Sequence, residues 1–283
     1  TYDESKACRM DLSAWVSIIN QSGASYRNAR LKLIAGDVHR AEPSRPEREV
    51  MYRAAVAEDA GAGFTEKAFF EYHLYTLGRR TDLVDNSTRQ LQLMPAAQGI
   101  ECSKELVFAP TLANRYWGYQ QLDQDYGRYG KGEVNVFLRF RNSQEQQLGV
   151  PLPAGRIRVM QLDPADDSLE FIGEDVLDHT PRNEDVLIEM GNAFDVVGER
   201  KQTDFRIDTR TRSLWETFEI RLRNHKDSEA EIVVLENLYR AANWKIGNAT
   251  HEYGKESSNR IRFDLSVPSE GEAVLSYTVH YDW

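Results

Sequence analysis

The chain has 283 residues, 41% of them hydrophobic and 28% charged, and 35 Lys plus Arg against 45 Asp plus Glu give a formal net charge of -10. That length and composition support one large or two ordinary domains with their own cores, and the negative balance disfavours nucleic acid or anionic lipid as partners. No apolar run approaches the roughly 20 residues of a membrane helix, so no membrane span is expected; no signal-peptide pattern opens the chain, and its start at Thr1 without Met points to a processed form or a fragment that has lost an upstream strand.

Leu12, Ala14, Val16 and Ile18 alternate with Ser13, Trp15 and Ser17, and the alternation resumes at Ala29, Leu31 and Leu33 after the polar break at residues 20–25. This period of two predicts a hairpin. From Glu42 to Gly63 the pattern changes: Ser44 and Glu47 have capping-box spacing, Pro46 sits just inside, and Val50, Met51, Ala54 and Ala55 recur at helical spacing. A short helical insertion over 43–63 is expected, read as a surface connection in preference to a lid or partner-binding helix. A second hairpin-like unit spans Ala68 to Met94. There Phe70, Tyr72 and Leu74 alternate with Glu71 and His73, a turn falls at Asp85-Asn86-Ser87, and Leu91 and Leu93 follow.

A short strand over Glu105 to Phe108 leads into the aperiodic stretch Asn114 to Gly132. Beyond it, alternation returns in Val134 to Phe140, Ile157 and Val159, Leu169 to Ile172, Val186 to Ile188, Phe194 to Val197 and Phe205 to Ile207. Further strands are marked by Phe218 to Leu222, Ile232 to Leu235, Ile261 to Leu265 and Leu275 to Tyr281. Many short strands with turn signals between them predict an all-β chain of antiparallel, immunoglobulin-like sandwiches. The expected division is an N-terminal β-domain over 1–113, a connection over 114–132 and a C-terminal sandwich over 133–283. An internal echo runs through it, since Asn20, Asn142 and Asn224 each end an alternating strand. Asn suits turns, so the echo is either recurring turn chemistry or a repeat.

Several blocks resemble the domain-of-unknown-function 4139 family, grouped with mucoidy inhibitor A-like secreted bacterial proteins. They are SGASYRNARLKLIAGDVHR from Ser22, FFEYHLYTL from Phe69, LPAGRIRVMQ from Leu152, GNAFDVVGERKQTDF from Gly191, ETFEIRLRNHKD from Glu216 and VPSEGEAVLSYTVHYDW from Val267. The resemblance implies a β-rich fold, a secreted or periplasmic cell-envelope location and additional chain before Tyr2, and it supplies no catalytic residues. The aromatic stretch around Trp117 lies outside the resemblance.

Catalytic signatures are missing from the sequence. Gly130-Lys131 runs into Gly132 and a strand, unlike a phosphate loop, and neither a G-x-S-x-G elbow nor an H-E-x-x-H helix occurs. The six histidines are dispersed, so no metal and no cofactor is expected. Glu71 and His73, two residues apart on one strand face, have the arrangement of a carboxylate orienting an imidazole, or else of a solvated polar pair. Asp163, Asp166 and Asp167, with Glu174, Asp175 and Asp178, lack calcium-loop spacing and read as hairpin turns. Cys8 and Cys102 form one disulfide or are two separate thiols.

The stretch richest in binding chemistry is Asn114 to Gly132, where Tyr116, Trp117, Tyr119, Tyr126 and Tyr129 surround Gly, Gln and Asp, and Arg128 lies between two of the rings. Rigid rings with polar tips suit a protein partner or a glycan, and equally a loop folded onto the sheet edge. The sequence therefore points to a non-enzymatic protein working through protein-protein contact or self-association, with carbohydrate binding as the alternative and a Glu71/His73 enzyme site as the second.

Overall fold

Alternation at period two dominates the structure, a computed structural model describing residues 2–3, 8–36, 56–59, 64–110, 120–127 and 132–283. Its strands are β1 (Tyr2–Asp3), β2 (Arg9–Asn20), β3 (Tyr26–Ala35), β4 (Val56–Asp59), β5 (Phe64–Phe69), β6 (Tyr72–Leu83), β7 (Ser87–Phe108), β8 (Glu133–Arg141) and β9 (Gly155–Leu162). They continue as β10 (Leu169–Leu177), β11 (Asp185–Asp208), β12 (Ser213–Asn224), β13 (Ala230–Asn237), β14 (Asn243–Gly247), β15 (Tyr253–Ser257), β16 (Arg260–Val267) and β17 (Gly271–Asp282). The all-β sandwich is as expected. Most pairings are antiparallel, but β1 with β9, β4 with β7 and β7 with β13 are parallel. Of the expected helical insertion 43–63, residues 56–59 are strand β4, and Val50, Met51, Ala54 and Ala55 lie outside the described residues.

Neither expected N-terminal hairpin is a paired hairpin. β2 pairs with β7, whereas β3 and β6 pair with each other in a separate three-stranded sheet, β3-β6-β5. The chain thus crosses between sheets at 20–26 and again at 83–87. Asn20 joins the two crossings: its Nδ2 donates to Ala24 O (2.8 Å) and Leu83 O (3.1 Å), and its Oδ1 accepts from Ser22 N (3.2 Å). Asn142 repeats this, donating to Val150 O (2.8 Å) and Pro181 O (2.9 Å) and accepting from Gly149 N (3.1 Å). Asn224 donates to Ser228 O (2.8 Å), Val267 O (3.2 Å) and Pro268 O (3.0 Å) and accepts from Lys226 N (3.1 Å).

The echo is therefore a structural repeat. Each copy has an outer pair (β2 and β7, β8 and β11, β12 and β17) and an inner antiparallel pair (β3 and β6, β9 and β10, β13 and β16), with a buried Asn tying the two crossings. Changing Asn224 to Asp keeps the shape but turns three donor contacts into carboxylate facing carbonyl. The expected cost is about 3 kcal/mol, with Asn142→Asp similar and Asn20→Asp smaller because Asn20 keeps some solvent contact. Denaturant midpoints of the three variants check the order.

The chain divides into two compact units, Thr1–Ser103 with Arg139–Ile188, and Lys104–Leu138 with Glu189–Trp283. Residues 139–188, expected in a C-terminal domain, belong to the first unit. Tyr75 Oη donates to Pro151 O (2.7 Å) and Gln146 Oε1 accepts from Glu101 N (2.7 Å). Sequence order misleads because the boundaries fall inside the long strands β7, β8 and β11; the three short strands expected over 186–207 are all β11, one strand with an irregularity against β12 between Gln202 and Asp204.

In the second unit, one layer is β11-β12-β17-β14 and the other is β13-β16-β15 with the end of β7. Leu214, Phe218, Ile220 and Leu222 of β12 and Leu275, Tyr277 and Val279 of β17 meet Ile232, Val234, Ile261, Phe263 and Leu265 in one core. The Phe263 and Tyr277 rings lie 5.5 Å apart across it. Gly198 is required here, since a Cβ would fall 2.1 Å from the Phe108 ring.

Candidate functional site

The inward positions of β12 are Leu214, Glu216, Phe218, Ile220 and Leu222, and those of β13 are Ile232, Val234 and Glu236, so two glutamates stand where the strand period calls for apolar side chains. Both are 0% exposed. A buried carboxylate requires a cation and hydrogen bonds. Arg200 of β11, opposite Ile220, supplies the first, with Nε 3.0 Å from Glu236 Oε1, and Tyr277 Oη donates to Glu236 Oε2 at 2.6 Å. Arg240, just after β13, supplies the second, with Nη2 2.7 Å from Glu216 Oε1, where Gln202 Nε2 also donates at 2.8 Å.

Burial lowers the pKa of both guanidiniums, but the carboxylates outweigh it, Glu236 holding Arg200 well above its ordinary value and Glu216 raising Arg240. Burial pushes the Tyr239, Tyr277 and Tyr281 hydroxyls up, so they stay protonated. Glu216 Oε2 and Arg240 Nε are buried without a hydrogen-bond partner among the described residues, so the cluster is incompletely satisfied.

These arginines hold down the middle of the aromatic stretch. Arg240 donates to four backbone carbonyls, of Gln121 (2.9 Å), Asp123 (2.5 Å), Gln124 (3.3 Å) and Tyr126 (3.0 Å), and Arg200 Nη1 donates to Gly127 O (3.0 Å). The half-buried Tyr126 ring meets Tyr239 edge-on at 5.6 Å. Gly127, at φ 72, lies so close that a Cβ would fall 2.3 Å from the Tyr239 ring. Residues 120–127 are thus a clamped platform; Tyr116, Trp117, Tyr119, Arg128 and Tyr129 lie outside the described residues. The sequence signal for the clamp was legible, because Glu216 and Glu236 continue an apolar inward register that only a buried counter-charge permits.

The Glu71/His73 pairing does not form. Glu71 sits in the two-residue turn between β5 and β6, off the strand, and His73 Nδ1 lies 2.7 Å from Glu66 Oε1. The acidic positions are turns and ion pairs: Asp163 Oδ1 accepts from Ala165 N and Asp166 Oδ1 from Ser168 N, which lowers the pKa of Asp166. The hydrogen bond from Arg158, with Arg156 beside it, likewise holds Glu174 below the usual carboxylate value. Among the described residues no His, Cys, Asp and Glu group suits a metal ion. Cys8 and Cys102 form a disulfide, extending the β2–β7 ladder with Cys102 N donating to Cys8 O (3.0 Å).

Among the described residues of the first unit, the most exposed aromatic side chain is at the tip of β5–β6. Phe69 pairs with Tyr72, leaving Phe70 and Glu71 as the turn, and Phe70 is 85% exposed at φ 59. Positive φ at the first central residue alone is the sign pattern of a type II′ turn, where glycine is usual. A phenylalanine there is strained by about 1–3 kcal/mol. Phe69 and Ile34 of the same sheet are also exposed.

Fold and site define an all-β sandwich protein with a charge-clamped loop and an exposed aromatic hairpin tip. Comparison with family models, curated proteins and solved structures returns no match for this chain. No helix among the described residues is long and apolar enough to cross a membrane.

Proposed function

We propose that this chain is a non-enzymatic contact protein of a secreted or periplasmic compartment, an assembly component of the cell envelope with immunoglobulin-like sandwiches of the domain-of-unknown-function 4139 type. The observation that carries this reading is Phe70, an 85% exposed ring held at positive φ. It adds strain and buries almost nothing in its own fold, so its value lies in a contact outside the chain. The Cys8–Cys102 disulfide supports an oxidising compartment.

Phe70→Asn tests it, because Asn tolerates positive φ. The variant is expected to be more stable by about 1 kcal/mol and to retain less partner when native complexes from cell-envelope extracts are compared with wild type. Undiminished complexes alongside the stability gain would sink the reading. A carbohydrate-binding reading draws on the clamped base of the aromatic loop; glycan-array binding lost in Trp117→Ala would favour it.

A further inference from the structure

The three-stranded sheet β3-β6-β5 of the first unit has one face whose charge is opposite in sign to that of the chain. Burial alternates along its strands. Leu31 and Leu33 of β3 are half-buried and Tyr75, Leu77 and Thr81 of β6 are buried, whereas Arg30, Lys32 and Ile34 of β3, Arg80 of β6, and Thr65, Lys67 and Phe69 of β5 are exposed. The ladder sets the exposed positions in rows: Phe69 beside Tyr72, Lys67 and Ile34 either side of Leu74, Thr65 and Lys32 either side of Thr76, and Arg30 directly opposite Arg80. The irregularity there steps from Arg30 to Lys32 on β3 and from Arg80 to Thr76 on β6, an even number of residues on each, so the arginines keep the face of the lysines.

Four cations thus share one face, and their own fold does not neutralise them. Arg80 Nη1 donates to Asn28 O (2.9 Å), and among the described residues none of the four forms an ion pair. The carboxylates nearby are Asp82, which accepts from Asn28 N (2.6 Å), and Glu71 in the turn, while Glu66 faces inward to His73. Like charges directly opposite on neighbouring strands are unfavourable, so Arg30 and Arg80 work against the sheet unless an anion lies over them. The other end of the face is apolar. Phe69 is 52% and Ile34 54% exposed, and Phe70 adds its ring, 6.0 Å from that of Tyr72. Successive rows lie about 7 Å apart along the strands, so the lysines follow the apolar end and the arginines lie behind them.

We propose that this face docks on an anionic lipid surface, where Lys67, Lys32, Arg30 and Arg80 meet lipid phosphates and Phe69, Phe70 and Ile34 enter the headgroup layer. The inference deepens the contact reading by naming the partner's chemistry, and it rests on that reading for the apolar end. An apolar edge followed by long cationic side chains is the order a membrane interface requires, because lysine stems lie along the apolar boundary while their ammonium groups reach the phosphates. A protein partner needs a carboxylate placed against each cation; a lipid surface supplies anions wherever the cations fall. The net charge of -10 disfavours anionic lipid for the chain as a whole. Salt, however, screens charges more than about 8 Å from the surface, so the sign of the docking face decides.

The test is sedimentation of the intact, oxidised chain with vesicles of phosphatidylcholine alone and of phosphatidylcholine mixed equally with phosphatidylglycerol. Wild type is expected to sediment with the mixed vesicles only and to be released as salt rises. Lys67→Gln, Lys32→Gln and Arg30→Gln are each expected to weaken binding about fivefold, Phe70→Asn to weaken it roughly tenfold or more, and Glu71→Gln to strengthen it. The salt response of wild type needs no variant, so the test stands even where a substitution disturbs the fold. A wild type that ignores the mixed vesicles, or binding indifferent to salt and to all three cations, overturns the inference. Envelope complexes lost in Phe70→Asn, in a chain that ignores the vesicles, overturn the lipid surface alone and leave the contact reading standing. Vesicle binding that depends on the cations but not on Phe70, with undiminished envelope complexes, sinks the contact reading and leaves the lipid docking of this face standing.

Discussion

Replacing Arg240 with methionine is expected to destabilise the second unit by about 3–5 kcal/mol, the range for removing one partner of a buried ion pair. The change leaves Glu216, 0% exposed, with Gln202 as its remaining donor, and takes the donor from four carbonyls between Gln121 and Tyr126. Two readouts follow: denaturant unfolding, and hydrogen exchange of the amides at 121–127, which should accelerate well beyond those of β12 and β17. Adding Glu216→Leu to Arg240→Met should recover part of the loss, because the pair is incompletely hydrogen-bonded and an apolar replacement of both members removes the desolvated charge. The loop should remain released in the double variant. Near-wild-type stability in Arg240→Met with unchanged loop exchange would show that the clamp contributes neither folding energy nor loop order.

Reduction of the Cys8–Cys102 disulfide, or Cys8→Ala with Cys102→Ala, is expected to lower the stability of the first unit by up to about 4.5 kcal/mol by the loop-closure entropy of so long a loop. The two cysteines are 94 residues apart in sequence and hold the start of β2 against the interior of β7. Among the described residues the polar side-chain contacts beside them are exposed, Arg9 donating to Gly99 O (3.1 Å) and to Glu101 (3.2 Å) and Asp11 accepting from Gly99 N (2.8 Å). Exposed ion pairs of this kind contribute little. Fraying should therefore begin at Arg9–Met10 and Ile100–Glu101 and spread along β2, while the second unit, which contains neither cysteine, keeps its own transition. Denaturation with and without reductant checks this; identical curves would mean that the ladder and core hold β2 without the cross-link.

The clamp and the tip use opposite means. At 120–127 the chain is held by buried charge, so its geometry is fixed at a cost in desolvation. At Phe70 an exposed ring sits at positive φ, a cost in backbone strain that burial does not offset.

The sequence by itself determined that this is a β protein and where most of its strands run, because alternation at period two is a local property: Leu12 to Ile18, Val134 to Phe140, Phe218 to Leu222 and Leu275 to Tyr281 all lie in strands that follow it. It also marked Asn20, Asn142 and Asn224, though not what they do, since their bonds reach carbonyls as far as 63 residues away. Only the tertiary structure decided that β2 and β3, or β6 and β7, cross between sheets. Alternation fixes which side chains share a face and is silent on which strand lies alongside. The disulfide and the return of residues 139–188 to the first unit are likewise long-range matters, whereas the pairing of His73 with Glu66, seven residues apart, depends on where the 70–71 turn falls. The clamp falls between the two kinds: Glu216 and Glu236 at core positions announce buried charge in the sequence, but the choice of Arg240 and Arg200 as their partners depends on how the two layers pack.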